Sequence, residues 1–261
     1  MKEAKTSDTV VRYEVADGIA RIVLDRPPVN ALSLDMVTAG VAALRRAAAD
    51  QEARAVVLMS AIARRFSAGL DLGILLGKPV ATVRQFLQEL YVGLHDAQYN
   101  LGKPSIAAVG GAARGGGMTM AISCDVILAG QSATFGYPEI DLGLLPAIHF
   151  AHLPQIIGRH RAFELLFSGR SFDAQEAFQL GLVSKIVPDS EIDAAASTLA
   201  KVFAAKSPAA MRLGRAAFMR QNDVDYRRSI ACAVEDFCNA AMTDAAQEGL
   251  RAFVEKRPPC W

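Results

Sequence analysis

The apolar residues of this chain change their spacing at Pro188, and this change constrains the fold more than any other feature of the sequence. Before Pro188, short apolar runs alternate with stretches of helical periodicity, and after it only helical periodicity remains. Strands and helices followed by helices alone predict an α/β fold with a helical C-terminal part. We therefore expect a core of residues 9–188 and a helical region of residues 189–261.

Six apolar runs predict the strands of the core. Residues 10–15 and 19–25 flank the turn sequence Ala16-Asp17-Gly18 and predict a β-hairpin. The other four runs span residues 54–60, 105–109, 126–129 and 183–187. Their strand–strand–helix rhythm is loosely periodic, without an exact sequence repeat.

Capping residues indicate where several helices begin. One helix follows Ser33 and carries an apolar stripe at i, i+3, i+7 and i+10. Asp173 with Glu176 three residues later predicts a capping box at the start of another helix. In the helical region, Ser207 and Pro208 predict the N-cap and the first residue of a further helix.

Charge and composition exclude several classes of protein. The chain has 28 Lys and Arg against 27 Asp and Glu, a formal net charge of +1, so it has no electrostatic reason to bind nucleic acid or an anionic membrane surface. Hydrophobic residues make up 52% of the chain, which is enough to form a large core. The longest uncharged run, residues 142–158, contains Pro146 and Pro154 and does not suit a membrane-spanning helix.

The cysteines and the N-terminal residues indicate the cellular compartment. The four cysteines form no CxxC pair and have no metal-ligand spacing, so we expect neither a metal site nor a disulfide framework. Residues 1–8 lack the apolar segment of a signal peptide, and we expect a frayed tail there. Both features predict a protein of the reducing cytoplasm.

The densest glycine cluster is VGGAARGGG at residues 109–117, between a predicted strand and a predicted helix. Backbone N–H groups at such a helix start stabilise negative charge. The spacing fits neither GxxxxGK[ST] nor GxGxxG, which disfavours a nucleotide phosphate loop. Taken alone, the cluster also fits a glycine turn that serves only packing.

Two further loops carry candidate functional residues. Residues 64–72, RRFSAGLDL, contain small residues that allow a ligand to approach the backbone closely. Residues 135–143, FGYPEIDLG, place Glu139 directly after Pro138 and among apolar residues. Burial there would raise the pKa of the Glu139 carboxyl group and suit proton transfer. A solvated surface glutamate is the alternative.

Together these motifs resemble the enoyl-CoA hydratase/isomerase (crotonase) superfamily, and the resemblance runs through nearly the whole chain. It includes RPPVNAL at 26–32, KPSIAAV at 103–109, AFQLGLV at 177–183 and EGLRAFVEKR at 248–257. The resemblance implies a spiral of ββα units with a helical C-terminal trimerisation region, assembled as a homotrimer or a pair of trimers. It also implies an acyl-CoA thioester as substrate, with coenzyme A as part of that substrate and no separate cofactor.

The resemblance also implies which residues form the site. By motif match, the backbone N–H groups of Ala68 and Gly116 would hold the thioester oxygen in an oxyanion hole and stabilise an enolate. Glu139 would act as the acid/base. The residues that match the walls of the CoA and substrate channel are Val29, Ala31, Ser67, Leu70, Asp71, Leu72, Gly115 and Pro138. The candidates for a phosphate contact are Arg64, Arg65 and, from a neighbouring subunit, Lys256.

The sequence departs from the family's hydratase pattern at one catalytic position. Such hydratases hold a water between two glutamates; the second matches Glu139, whereas the first position is Thr119. A single base suits double-bond migration, although Thr119 could still hold a water for hydration. Decarboxylation within the same superfamily and a non-catalytic acyl-CoA-binding protein also stay open. His149 and His152 are further candidates for proton transfer, and Asp141 for an auxiliary acid.

Overall fold

The computed structural model describes residues 10–222 and 226–260, without the side chains of residues 226–228. The tail expected at residues 1–8 lies outside the described residues. The strands are β1 (Val11–Ala16), β2 (Ile19–Leu24), β3 (Ala55–Ser60), β4 (Arg65–Ser67), β5 (Ser105–Val109), β6 (Ala112–Arg114), β7 (Val126–Gly130), β8 (Thr134–Gly136), β9 (Ser171–Asp173) and β10 (Lys185–Val187).

Eleven α-helices lie within the described ranges. They are α1 (Leu34–Ala49), α2 (Val80–Leu87), α3 (Leu94–Tyr99), α4 (Gly116–Ile122), α5 (Ala147–Ile157), α6 (Arg159–Ser168), α7 (Ala174–Gln179), α8 (Ile192–Ala204), α9 (Pro208–Asn222), α10 (Tyr226–Ala241) and α11 (Asp244–Val254). A π-helical segment, Gln88–Gly93, joins α2 to α3, and Pro138–Leu142 forms a short 3₁₀ helix.

The strands form two sheets. The first has the order β1-β2-β3-β5-β7-β10, in which β1 and β2 are antiparallel and all later neighbours are parallel. The second has the order β4-β6-β8-β9, with only the β8–β9 pair antiparallel. Strands β3, β5 and β7 of the first sheet are each followed directly by a short strand of the second. The chain therefore winds as a spiral of ββα units, and the expected fold class is confirmed.

Apolar side chains fill both faces of the six-stranded sheet. On one face, the buried Ile19, Val57 and Ile106 pack with Ile192 and Ala196 of α8. The other face belongs to a larger core that reaches the second sheet and the helices around it. Helix α8 thus covers the core from the C-terminal region, while α10 packs against α5. The division of the chain at residue 188 stays a prediction.

Several predicted elements are confirmed. Strands β1 and β2 pair in the expected hairpin, with Val11 opposite Leu24. The side chain of Ser33 caps α1 by accepting from the Met36 N–H, and the Ser207 hydroxyl accepts from the Ala210 N–H at the start of α9. Helix α11 ends in two apolar residues, Phe253 and Val254, that the single chain leaves 61% and 59% exposed.

The capping box at Asp173 forms only in half. The Asp173 carboxylate accepts from the Glu176 N–H at 2.8 Å, as expected. The Glu176 carboxylate, however, does not reach back to Asp173. It pairs with Arg170, whose guanidinium also binds Glu164, and this charged pairing outcompetes the return hydrogen bond.

The capping residues predict no helix in residues 142–168. Helices α5 and α6 lie there, although Pro154 stands inside α5 and Gly158 between the two helices. Of the uncharged run at residues 142–158, Ala147–Ile157 form an α-helix of 11 residues. None of the helices in the two described ranges has the length and apolar character needed to cross a membrane.

Candidate active site

A cavity with a volume of about 760 Å³ lies between the loops of residues 29–31 and 68–73, the 3₁₀ segment Pro138–Leu142 and α11. It brings together ten of the residues expected at the site, from five separate parts of the chain. These are Val29, Ala31, Ala68, Leu70, Asp71, Leu72, Gly115, Pro138, Glu139 and Lys256. Five other expected residues, Arg64, Arg65, Ser67, Gly116 and Thr119, do not line it.

Glu139 lies on the cavity wall in the short 3₁₀ helix that Pro138 begins. Its backbone carbonyl accepts from the Leu144 N–H at 3.0 Å, which folds the following loop back on it. The residue is 8% exposed, and its Oε2 has no hydrogen-bond partner within the described ranges. Burial raises the pKa of Glu139 from 4.5 to about 7.

Three carboxylates line this cavity, and their surroundings differ. Asp71 forms an ion pair with Arg26 at 2.8 Å, so its charge is balanced. Asp141 is exposed to solvent. Glu139 alone among them is buried, and its raised pKa lets both protonation states be populated near neutral pH.

The glycine cluster packs directly against this carboxyl group. Gly115 has a φ of +48°, and a Cβ there would overlap Glu139 Oε1 and lie 3.0 Å from its carboxyl carbon. The Gly115 N–H donates to the Gly136 carbonyl at 3.0 Å, which fixes the turn. Gly115 is therefore required by conformation and by space at once.

Gly116 is the first residue of α4, so its N–H has no acceptor within the helix. Behind it, a Cβ would lie 2.7 Å from Leu70 Cδ1 and 3.0 Å from Leu32 Cδ1. The loop that holds Gly69 approaches closely, because a Cβ on Gly69 would lie 3.4 Å from the Gly116 nitrogen. The two loops thus meet backbone to backbone, as an oxyanion hole built from main-chain amides requires.

The second expected donor is already engaged. The Ala68 N–H donates to the Val29 carbonyl at 3.0 Å. The role of this amide as an oxyanion donor stays a prediction. Ala68 can serve an oxyanion only by sharing this hydrogen or by releasing Val29.

Ser67 supports its loop and does not contact the cavity. It is fully buried, donates from its hydroxyl to the Asn30 carbonyl at 2.7 Å and accepts from the Gly69 N–H at 3.2 Å. Asn30, which the sequence did not single out, has a φ of +51° and donates to the Ser60 hydroxyl and the Phe66 carbonyl. Ser67 therefore stabilises its loop through these bonds, and its place in the channel wall stays a prediction.

Arg26 is a second residue that sequence reasoning missed. Its guanidinium donates to the Ala31 carbonyl at 2.7 Å and to Asp71 at 2.8 Å, and so joins two cavity-lining segments. The signal was its place in the RPPVNAL motif, but the partner lies 45 residues away. These two hydrogen bonds of Arg26, which we call the Arg26 clamp, can be seen only in the folded chain.

Two of the three cations expected at a phosphate contact lie away from the cavity. Arg64 and Arg65 are exposed and lie outside the cavity; the Arg64 carbonyl instead accepts from the Ala112 N–H at 3.1 Å. In the described part of the chain, the cations that line the cavity are Lys256 and Arg257. Arg257 is held by Glu248 at 2.6 Å, which leaves Lys256 as the better candidate.

Thr119 belongs to a buried polar cluster behind the cavity wall. Its Oγ1 lies 3.3 Å from His149 Nε2, in a hydrogen bond whose direction depends on the imidazole tautomer. The ring centroids of Tyr137 and His149 are 4.5 Å apart, and those of His149 and His152 are 5.2 Å apart. Thr119 does not line the cavity, and its contact with a water stays a prediction.

The pKa of each of these two buried histidines lies below its ordinary value of 6.5. Burial, and secondly the neighbouring His152, lower the pKa of His149 well below 6.5. Burial lowers the pKa of His152 to about 4. Neither histidine lines the cavity. Within residues 10–222 and 226–260, no three His, Cys, Asp or Glu side chains are grouped to hold a metal ion.

Comparison with known proteins gives consistent matches over nearly the whole chain. A family profile described as enoyl-CoA hydratase/isomerase matches residues 14–261. The 2,3-dehydroadipyl-CoA hydratase of Escherichia coli K12 is 36% identical over 91% of this chain and 92% of its own length. The mitochondrial methylglutaconyl-CoA hydratase of Mus musculus is 35% identical over 98% of this chain and 84% of its own.

Solved structures agree with the sequence matches. The human mitochondrial Δ3-Δ2-enoyl-CoA isomerase superposes with a TM-score of 0.86 at 26% identity, covering 95% of this chain and 98% of that one. An enoyl-CoA hydratase from Bacillus anthracis superposes with a TM-score of 0.78 at 31% identity, covering 97% and 99%. A hydratase and an isomerase therefore share this fold.

Proposed function

The chain belongs to the enoyl-CoA hydratase/isomerase family, and on that premise we propose that it moves a double bond in an enoyl-CoA thioester, with Glu139 as its one acid/base. The observation that carries the proposal is the set of carboxylates on the cavity wall. Only one of the three is both buried and unpaired in the described ranges, and it is Glu139. One base of this kind is sufficient for migration of a double bond.

The reaction needs only one proton to change place. The Glu139 carboxylate takes a proton from C2 of a 3-enoyl-CoA, and the C–H electron pair enters the thioester to form a dienolate. The same carboxyl group returns the proton at C4, so the double bond moves from C3–C4 to C2–C3. No atom is gained or lost. A pKa of about 7 suits both halves of this exchange.

The negative charge that develops on the thioester oxygen is stabilised by backbone donors. In this proposal the Gly116 N–H binds the oxygen, because it has no acceptor within α4 and lies at the positive end of that helix. The Ala68 N–H joins it by sharing its hydrogen with the Val29 carbonyl or by giving up that bond. No metal, flavin or nicotinamide takes part.

Hydration is the second candidate, and the names of the relatives favour it. The two sequence relatives described above are hydratases, at 36% and 35% identity. Hydration adds a hydroxyl at C3 and a proton at C2, and so needs a water held beside the base. Here Thr119, at the position of the first hydratase glutamate, is bonded to His149 behind the cavity wall. This arrangement favours migration over hydration.

Self-association and cytoplasmic location also belong to the proposal. Phe253 and Val254 are exposed at the rim of the cavity, where a neighbouring subunit would cover them. Light scattering should therefore give a trimer or hexamer, and a monomer of 27.8 kDa at micromolar concentration would contradict this expectation. Relatives named as mitochondrial exist, and fractionation of cells that express the full chain tests the location.

Two assays on the same preparation test the reaction. Isomerisation of a 3-enoyl-CoA is followed by the absorbance of the conjugated product, and hydration of crotonyl-CoA by the loss of that absorbance. We expect isomerisation to exceed hydration in kcat/KM, and Glu139→Gln to lower it about 10²–10⁴-fold. If kcat/KM for hydration exceeds that for isomerisation, the protein is a hydratase and the proposed double-bond migration is wrong. If the protein turns over neither substrate, both candidate reactions are wrong.

A further inference from the structure

The buried pair of Thr119 and His149 is not used by the proposed chemistry, yet it connects the two parts of the site. Thr119 lies in the first turn of α4, and His149 lies in the first turn of α5. The two side chains are 4% and 1% exposed and meet at 3.3 Å between Oγ1 and Nε2. This hydrogen bond joins elements that are 30 residues apart in the sequence.

On its α4 side, the pair is tied to the backbone that presents the oxyanion donor. The Thr119 N–H donates to the Gly115 carbonyl at 3.1 Å. That carbonyl belongs to the same peptide group as the Gly116 N–H. A shift of Thr119 would therefore tilt the peptide group whose N–H is the proposed oxyanion donor.

On its α5 side, the pair is tied to the segment that carries the base. The His149 N–H donates to the Pro146 carbonyl at 2.9 Å, and the Leu144 N–H donates to the Glu139 carbonyl at 3.0 Å. These two bonds make the stretch from Glu139 to His149 one compact unit. The Tyr137 ring, which packs on His149, holds the unit from its other end.

We propose that the Thr119–His149 hydrogen bond sets the spacing between the Gly116 N–H and the Glu139 carboxyl group. Thr119 and His149 are then positioning residues for the proton transfer, and neither touches the substrate. This inference rests on the proposed function, because it assigns the two residues a part in that reaction.

The pair acts on the transition state more than on binding. Thioester binding depends on the channel walls, which the pair does not form. Stabilisation of the enolate depends on donor and base being correctly placed together, and a displacement of about 1 Å can cost about 10²-fold in rate. Loss of the hydrogen bond should therefore lower kcat and leave KM nearly unchanged.

Substitutions at Thr119 test this with little change of shape. Thr119→Val keeps the volume and the β-branch but removes the hydroxyl, whereas Thr119→Ser keeps the hydroxyl. We expect Thr119→Val to lower kcat about 10- to 100-fold with KM within about threefold, and Thr119→Ser to stay within about threefold of wild type. Thr198→Val is the matched control, since Thr198 lies on the exposed face of α8 and its hydroxyl donates to the Ala194 carbonyl.

A double-mutant cycle with His149→Leu shows whether the two side chains act as a unit. If they do, the double variant loses no more activity than Thr119→Val alone. Should His149→Leu fail to fold, Thr119→Val and Thr119→Ser decide the matter by themselves. A loss in kcat smaller than about fivefold for Thr119→Val, or a rise in KM with kcat unchanged, overturns the inference.

A spectroscopic readout separates this inference from the proposed function. A 3-oxoacyl-CoA forms an enolate that absorbs in the near ultraviolet, and bound wild-type protein should increase that absorbance. Thr119→Val should bind the compound but show at least about fivefold less enolate. If wild type neither forms enolate nor turns over an enoyl-CoA, the proposed function is wrong. If wild type does both and Thr119→Val matches it, only the positioning role is wrong.

Discussion

Replacing Glu139 with glutamine should change how the stability of this protein depends on pH. Burial raises the pKa of Glu139 from 4.5 to about 7. At about 1.4 kcal/mol per pH unit, holding the ionised carboxylate in the folded protein costs about 3 kcal/mol. Glutamine has nearly the same shape and carries no charge, so the variant avoids this cost.

The sign follows from which state binds the proton more tightly. Below about pH 4.5 the carboxyl group is protonated in both states and costs nothing. As the pH rises from 4.5 to about 7, the unfolded chain ionises first, so the free energy of unfolding of the wild type falls. Above about pH 7 the full cost is present. Glu139→Gln should therefore gain about 3 kcal/mol relative to wild type between pH 4.5 and pH 8.

Urea unfolding at several pH values measures this difference. Circular dichroism is recorded for both proteins at pH 4.5, 6, 7 and 8, at one fixed protein concentration because association shifts apparent stability. Glu52→Gln is the control, since Glu52 is exposed. It should follow the wild-type curve at every pH.

Two parallel curves for wild type and Glu139→Gln would refute the reasoning. They would mean that the Glu139 carboxyl group titrates at the same pH in the folded and unfolded states, so its burial has no energetic consequence. The argument for a base poised near neutral pH would then have no support. A gap that widens toward low pH would reverse the sign and refute it equally.

Other substitutions test the walls of the site. Gly115→Ala should lose at least about 1 kcal/mol in urea unfolding and most of its turnover, because φ is +48° and the new methyl group overlaps the Glu139 carboxyl group. Gly116→Ala places its Cβ 2.7 Å from a leucine methyl group; kcat should fall more than thioester affinity, as stopped-flow kinetics and calorimetry can show. Arg26→Met removes the clamp on Asp71 at 2.8 Å, so KM for the acyl-CoA should rise with kcat changed less, in steady-state assays.

The apolar runs predicted the first sheet well and the second sheet hardly at all. Strands such as β5, with five buried residues in succession, have a pattern strong enough to read locally. Strands β4, β6 and β8 have three residues each and form only because the spiral brings them side by side. No local pattern of three residues can predict such pairing.

The site was predictable where a short motif carries the function. Glu139 follows a proline among apolar residues, and Gly115 belongs to a dense glycine cluster, so both were identified from the sequence. The contacts of the Asn30 and His149 side chains could not be predicted. These side chains bond to Ser60 and Thr119, each 30 residues away in the chain. The hydrogen bond on the Ala68 N–H was equally hidden, because nothing in the sequence shows that the Val29 carbonyl faces it.

The central claim is that Glu139 removes and returns the proton on the carbon chain of an enoyl-CoA. It is tested most directly by the isomerisation rate of a 3-enoyl-CoA that carries deuterium at C2, with wild type and Glu139→Gln compared under single-turnover conditions. We predict a primary isotope effect for wild type, deuterium at C4 of the product or in the solvent, and a rate about 10²–10⁴-fold lower for Glu139→Gln. Product formation by Glu139→Gln at the wild-type rate would contradict the claim.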